Sequence, residues 1–127
     1  MELLPPELRE QLPPLYSQEH VADPMVICKF FHPLSSMTWY AIEGSPEGDD
    51  FIFFGWVHSD FPELGYFSLH EMQAVHVMGL GIERDEHFTP MHLSEVKKLH
   101  PETPPTPPTL TIYIIDDVGE EGENENQ

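Results

Sequence analysis

Basic residues are scarce in this chain of 127 residues, which has five lysines and arginines against 23 aspartates and glutamates. The formal net charge is therefore −18 at pH 7. A protein that follows the phosphates of DNA or RNA needs clustered lysine and arginine to displace the counterions. The shortage of both residue types argues against nucleic acid as a direct ligand.

Cysteine is also scarce, because Cys28 is the one cysteine in the sequence. A single cysteine excludes an internal disulfide framework and a zinc site built mainly from thiolates, and it suits a reducing compartment. No apolar run approaches the roughly 18 residues by which a transmembrane helix is recognised. The first residues are acidic and broken by prolines, unlike an export signal. We therefore predict a cytoplasmic protein with no membrane partner.

The apolar residues that are present predict an α+β fold, with a small antiparallel sheet of about four strands and two or three short helices. Strand-forming residues dominate 25–32, 36–42 and 51–58. The turn cluster at 43–50 joins the last two segments into a predicted hairpin. Bulky side chains occupy both alternating sides of 51–58, which predicts a strand covered on both faces.

Capping residues locate the predicted helices. A proline pair suits the first turn of an N-terminal helix. Ser68 and Glu71 have the spacing of a capping box, and Ser94 is the expected cap of the last helix. The predicted helices span 7–12, 70–79 and 93–99.

The C-terminal part of the sequence differs from the rest, so the compact domain is predicted to span 1–100. Residues 101–108 contain five prolines in eight positions and predict a spacer about 25 Å long. Residues 109–115 predict one additional strand, and 116–127, with six acids and no base, predict a disordered tail. An apolar strand needs a pairing partner, in its own sheet or in a second copy, and we predict a homodimer.

Histidine patterns give little support for catalysis. His70 begins a helical zinc motif, but Ala74 stands where the second histidine is required. A looser set has irregular spacing that favours no metal. We therefore predict no catalytic residue, metal or cofactor, and a metal-dependent hydrolase using histidine and carboxylate is the less favoured alternative. The looser set comprises His87, His92, Glu83 and Asp85.

Acidic clusters are the most distinctive feature. Six acids lie in the tail, and the other 17 acids against five bases still give −12. Clusters on one face would steer a basic partner and imitate the charge of a phosphate backbone. A surface that only keeps the protein soluble is the alternative interpretation. The candidate partner-binding residues are Glu43, Glu47, Asp49, Asp50, Asp60, Glu63, Glu83, Asp85 and Glu86.

Several separated motifs follow one another in order: LLPPELREQLPPLYS, TWYAIEG, FFGWV, ELGYFSL and IERDEHF. Together they resemble the domain of unknown function 2958 family, which consists of small bacterial proteins encoded on plasmids, integrative elements and phages. The resemblance covers 1–99, brings no catalytic residues and implies a mobile-element setting. In that setting we expect a non-catalytic interaction protein with a basic protein partner. It would be an anti-defence inhibitor of a host nuclease or interference complex, or else a binding module for replication or transfer proteins of the element.

Overall fold

The structure is a computed structural model that describes residues 1–101. The predicted spacer, the strand at 109–115 and the acidic tail lie outside the described residues, so the homodimer remains a prediction. The elements in chain order are α1 (Pro6–Gln11), β1 (Met25–Val26), β2 (Cys28–Phe31), β3 (Thr38–Glu47), β4 (Asp50–His58), β5 (Glu63–Ser68), α2 (Leu69–Ala74), β6 (His76–Val77), β7 (Leu80–Gly81), β8 (Glu83–Arg84), β9 (Met91–His92) and α3 (Leu93–Lys98).

Within residues 1–101 the main sheet is antiparallel and has five strands in the order β5-β4-β3-β2-β8, which confirms the α+β prediction. The fifth strand is β8, from a segment that the sequence left unassigned. The hairpin of β3 and β4 is confirmed, but its turn is tighter than predicted because β3 continues to Glu47. Gly48 supplies the left-handed backbone of this turn, with φ of +60°.

Both faces of β4 are covered, as the sequence predicted. On one face Phe53 stacks on Phe67 with ring centroids 5.1 Å apart, and the N-terminal segment and α2 complete this core. On the other face Trp56 packs with Tyr40 beneath α3. Gly55 lies between the two layers, and a Cβ atom there would come 1.8 Å from the carbonyl oxygen of Tyr40. A side chain at this position is therefore excluded by the backbone of the neighbouring strand.

The predicted helix to Gly79 was wrong in its length. Ser68 caps α2 by accepting a hydrogen bond from the Glu71 amide, as predicted, but the helix ends at Ala74. The β-branched residues that follow favour extended backbone. Residues 76–81 form the hairpin of β6 and β7 instead. The turn of this hairpin contains Met78 and Gly79, with φ of 54° and 81°.

Two further predictions need correction. The segment 25–32 is split, since β1 pairs with β9 while β2 joins the main sheet. The cap of α3 is His92 rather than Ser94. The amide of Ser94 instead donates to the carboxylate of Asp23, a residue 71 positions earlier in the chain.

Candidate functional site

A segment without helix or strand runs between the sheet and α3, and we call residues 15–23 the strap. At its beginning, the amides of Tyr16 and Gln18 donate to the carboxylate of Glu43 at 2.8 and 2.7 Å. At its end, the carboxylate of Asp23 accepts hydrogen bonds from the amide and hydroxyl of Ser94 at 2.9 and 2.6 Å. These two bonds lower the pKa of Asp23. Two carboxylates therefore hold the strap at both ends.

Glu43 was predicted to bind a partner, but it is 3% exposed and both of its oxygens accept backbone hydrogen bonds. The reason is a β-bulge in β3, where the register with β4 shifts between Ala41 and Glu43. The shift turns the Glu43 side chain to the same face as its partner Phe54. Glu43 is therefore an internal anchor of the strap and leaves the set of exposed acids.

The strap and the sheet enclose an open groove of about 280 Å³. Phe54, Leu64 and Tyr66 form its sheet side, and Tyr16 faces Tyr66 from the strap with ring centroids 6.4 Å apart. Leu64, Tyr66 and Tyr16 remain 47%, 41% and 59% exposed. Contiguous exposed apolar and aromatic side chains on a soluble protein mark an interaction site more often than isolated ones do. We call this feature the strap groove.

The electrostatics of the strap groove are negative, because its lining includes Glu19 and Glu43 and no lysine or arginine. Burial raises the pKa of the Tyr66 phenol, and the neighbouring Tyr16 and Glu43 raise it further. The groove thus combines apolar and aromatic walls with two acidic residues in its lining.

One wall of the strap groove is also an edge of the sheet. Within residues 1–101, β5 pairs with β4 on one side and has no strand on the other. Leu64 and Tyr66 project from the groove face of β5, whereas Phe67 projects into the core on the opposite face. The open edge therefore borders the apolar groove directly.

The structure does not bring the predicted acidic residues together on one face. Glu47, Asp49 and Asp50 lie at the β3–β4 turn, and Asp60 and Glu63 lie at the opposite end of β4, roughly 26 Å away for a strand of this length. The third cluster lies across the sheet at the β8 edge, and two of its members are paired. These pairs join Asp85 to Lys29 at 3.6 Å and Glu86 to Arg84 at 3.7 Å.

Asp50 has a structural role in addition to its charge. Its carboxylate accepts hydrogen bonds from the amides of Phe51 and His70 at 2.7 and 3.0 Å. Desolvation acts to raise the pKa of Asp50, but these hydrogen bonds outweigh it and lower the pKa. Asp50 thereby ties the first turn of α2 to the start of β4.

The candidate metal-ligating histidines, Cys28 and Arg84 occupy structural positions. Cys28 is buried, and desolvation raises the pKa of its thiol to about 12, so the thiolate is scarce at neutral pH. His92 caps α3, and the His87 amide donates to Asp85. No group of three or more metal-ligating side chains is present within residues 1–101. Arg84 organises its own segment, as its guanidinium donates to main-chain oxygens of the N-terminal segment.

Sequence reasoning missed the strap groove, although TWYAIEG contains both the bulge and Glu43.

Among the helices described up to residue 101, none has the length and apolar character needed to span a bilayer. No curated protein and no solved structure matches this chain. A family model described as "Protein of unknown function (DUF2958)" does match, over residues 3–99. The chain therefore belongs to the DUF2958 family, as its sequence motifs predicted.

Proposed function

We propose that this protein is a non-catalytic interaction protein that binds a basic protein partner through the strap groove. The observation that carries the proposal is the composition of the groove, which has aromatic and aliphatic walls, two acids in its lining and no lysine or arginine. Aromatic side chains are enriched at protein interfaces, where one apolar face and one polar group serve recognition together.

The overall charge supports a basic partner. A chain with a net charge of −18 attracts cationic proteins over about one Debye length, roughly 10 Å at 0.1 M salt, and it repels acidic ones. Charge alone gives fast association more than affinity, whereas the exposed Leu64 and Tyr66 give apolar area to bury. The groove and the charge therefore have complementary roles.

The more specific hypotheses remain proposals about which partner is bound. Inhibition of a host nuclease or interference complex, and binding to replication or transfer proteins of a mobile element, both require a basic surface on the partner. Imitation of a phosphate backbone would use the exposed acids, which lie in three groups rather than in one row. The mobile-element setting likewise stays an implication of the sequence motifs.

The proposal is tested by selecting binders for the full chain from a displayed library of random peptides at low salt. We expect the enriched peptides to combine lysine or arginine with apolar residues, and their binding to weaken as salt is raised. Tyr66→Ser and Leu64→Ser should each reduce binding by about tenfold.

Val77→Ser is the matched control, since Val77 is also 47% exposed but lies in the separate β6–β7 hairpin. Circular dichroism of each variant confirms that the fold is kept. Enrichment of acidic or uncharged peptides, or equal effects of the groove and control substitutions, would contradict the proposal.

A further inference from the structure

We propose that the outer edge of β5, beyond which no strand lies within residues 1–101, receives an extended basic segment of the partner protein, which pairs with β5 as an added strand. This inference rests on the proposed function, because it specifies how the partner binds beside the strap groove. It concerns the backbone of β5, which the proposed function does not require.

The backbone of β5 provides the first argument. In an antiparallel sheet every second residue of an edge strand directs its N–H and C=O groups away from its one neighbour. Such an edge is a template for another strand, and proteins usually cover it or interrupt it. Within residues 1–101 no strand lies beyond β5, whose six residues are Glu63–Ser68.

The side chains beside this edge provide the second argument. Leu64 and Tyr66 stand two residues apart on the groove face, so an added strand would place every second residue next to them. Those residues would continue the apolar surface that already includes Phe54, whose ring centroid is 5.0 Å from that of Tyr66. Alternation of apolar and polar residues is therefore expected in the bound segment.

The acidic clusters provide the third argument, because two of them lie at the two ends of β5. Asp60, which is exposed, lies shortly before the first residue of the strand. At the other end the Asp50 carboxylate accepts a hydrogen bond from the His70 amide, two residues after the strand ends. Five residue steps separate the ends of β5, or about 17 Å. A bound strand with a basic residue near each end would match this spacing.

Charge also distinguishes the partner from a second copy of the chain. Two copies would each bring a net charge of −18, and this repulsion opposes the edge-to-edge pairing to which open strands are prone. A basic segment experiences attraction at the same edge. The charge complementarity therefore favours a basic partner at this edge over direct pairing of β5 with β5 of a second copy.

The test uses the full chain and a synthetic peptide in which two valine–threonine pairs stand between two lysines, so that the lysines are five residue steps apart. We expect it to bind, and we expect binding to slow hydrogen exchange at the outward-facing amides of β5. A version with glutamate at both ends should bind at least about tenfold more weakly because of the like charges. A version with N-methyl groups on alternate residues keeps the side chains and charge but loses strand hydrogen bonds, so it should also bind about tenfold more weakly.

Charge reversal identifies the location of the peptide. Asp49→Lys combined with Asp60→Lys should weaken binding of the lysine-ended peptide by about tenfold, since both positions are exposed and lie at opposite ends of β5. Glu2→Lys combined with Glu7→Lys is the matched control, which changes the net charge equally, since both residues are exposed and lie in the N-terminal segment beside the β8 edge. The control loses the same general electrostatic attraction but keeps the acids at the ends of β5. We therefore expect it to weaken binding much less than the Asp49 and Asp60 pair does.

The outcomes separate this inference from the proposed function. Peptides from the displayed library that depend on Tyr66 but are insensitive to N-methylation would overturn strand addition and leave groove binding intact. No binding of the lysine-ended peptide at millimolar concentration would also overturn it. Slow hydrogen exchange of the outward-facing β5 amides in the full chain alone would also overturn strand addition by a partner. A segment of the same chain, such as 109–115, or a second copy would then already pair with this edge.

Discussion

The two edges of the main sheet differ in how far other parts of the described chain cover them. At the β8 edge the guanidinium of Arg84 donates to the main-chain oxygens of Glu2 and Leu3, and the Arg84 amide donates to the sulfur of Met1. Leu3 and Leu4 then join the core beside this edge. The β5 edge has no comparable cover within residues 1–101.

The same difference applies to the acids of the two edges. Lys29 and Arg84, two of the five bases, pair with Asp85 and Glu86 at the β8 edge. At the β5 side Asp49 and Asp60 are exposed, and Asp50 lies 3.9 Å from His70 rather than beside a lysine or arginine. Acidic clusters that look equivalent in the sequence therefore differ in their surroundings, as Asp85 and Glu86 are paired with bases whereas Asp49 and Asp60 are exposed to solvent.

A strong loss of stability is expected from Glu43→Gln, which releases the wall of the strap groove. A glutamine presents an N–H group to two amide donors, so the strap loses its charge-assisted hydrogen bonds in a buried site. We expect the free energy of unfolding to fall by about 2–3 kcal/mol in urea denaturation, with faster proteolysis within 15–23. Glu19→Gln, on the exposed part of the strap, should change it by less than about 0.5 kcal/mol. Equal stability of the two variants would contradict the role of Glu43 as the anchor.

The next largest effect is expected from Arg84→Met, which opens the covered edge. The methionine keeps much of the apolar volume but cannot donate to Glu2 and Leu3, so the N-terminal segment loses its attachment. We expect a loss of about 2 kcal/mol in chemical denaturation.

Arg9→Met is the control, because Arg9 is exposed above the Phe51 ring at 4.8 Å, and it should cost at most about 1 kcal/mol. If Arg84→Met were as mild as this control, the β8 edge would be no better secured than the β5 edge.

The parts of the fold that could be predicted from sequence are those set by local patterns. The alternation of bulky residues predicted β4 and its two covered faces, and the capping box predicted where α2 begins. The end of α2 could not be predicted, because apolar residues continue to Met78 and both helix and hairpin accommodate them. The two-residue strand β8 depends on pairing with Phe30 and Phe31, more than 50 positions earlier.

The candidate site was less accessible to sequence reasoning because its contacts are distant in the chain. The strap has no helical or strand periodicity, and its anchors join residues 25, 27 and 71 positions apart. The bulge that buries Glu43 reverses the face on which simple alternation places it. In an acidic protein an acidic residue is expected to lie on the surface. Only the structure shows that Glu43 is buried and binds backbone amides.

A smaller loss of stability is expected when the pH is lowered. The pKa of Asp50 is lowered in the folded state, so its contribution to stability is present above the unfolded pKa, near 3.8, and is lost as pH falls through the folded value. Urea denaturation between pH 5 and pH 2.5 should show stability decreasing, and Asp50→Asn should flatten this decrease. Asp60→Asn, at an exposed loop position, is the control. An equal slope for Asp50→Asn and the unaltered chain would contradict the role of this carboxylate at the open edge.

The smallest effect on stability is expected from Leu64→Lys on the open edge itself. Leu64 is 47% exposed, so the substitution removes little buried apolar surface and should change the free energy of unfolding by less than about 0.5 kcal/mol. The same lysine places a positive charge on the groove face beside the edge, and we expect it to reduce binding of the lysine-ended peptide. Ile82→Lys, at a buried position next to β8, should instead cost at least about 3 kcal/mol because it buries an unpaired charge. A loss of more than about 1 kcal/mol for Leu64→Lys would show that another part of the protein already covers β5, and the contrast between the two edges would no longer hold.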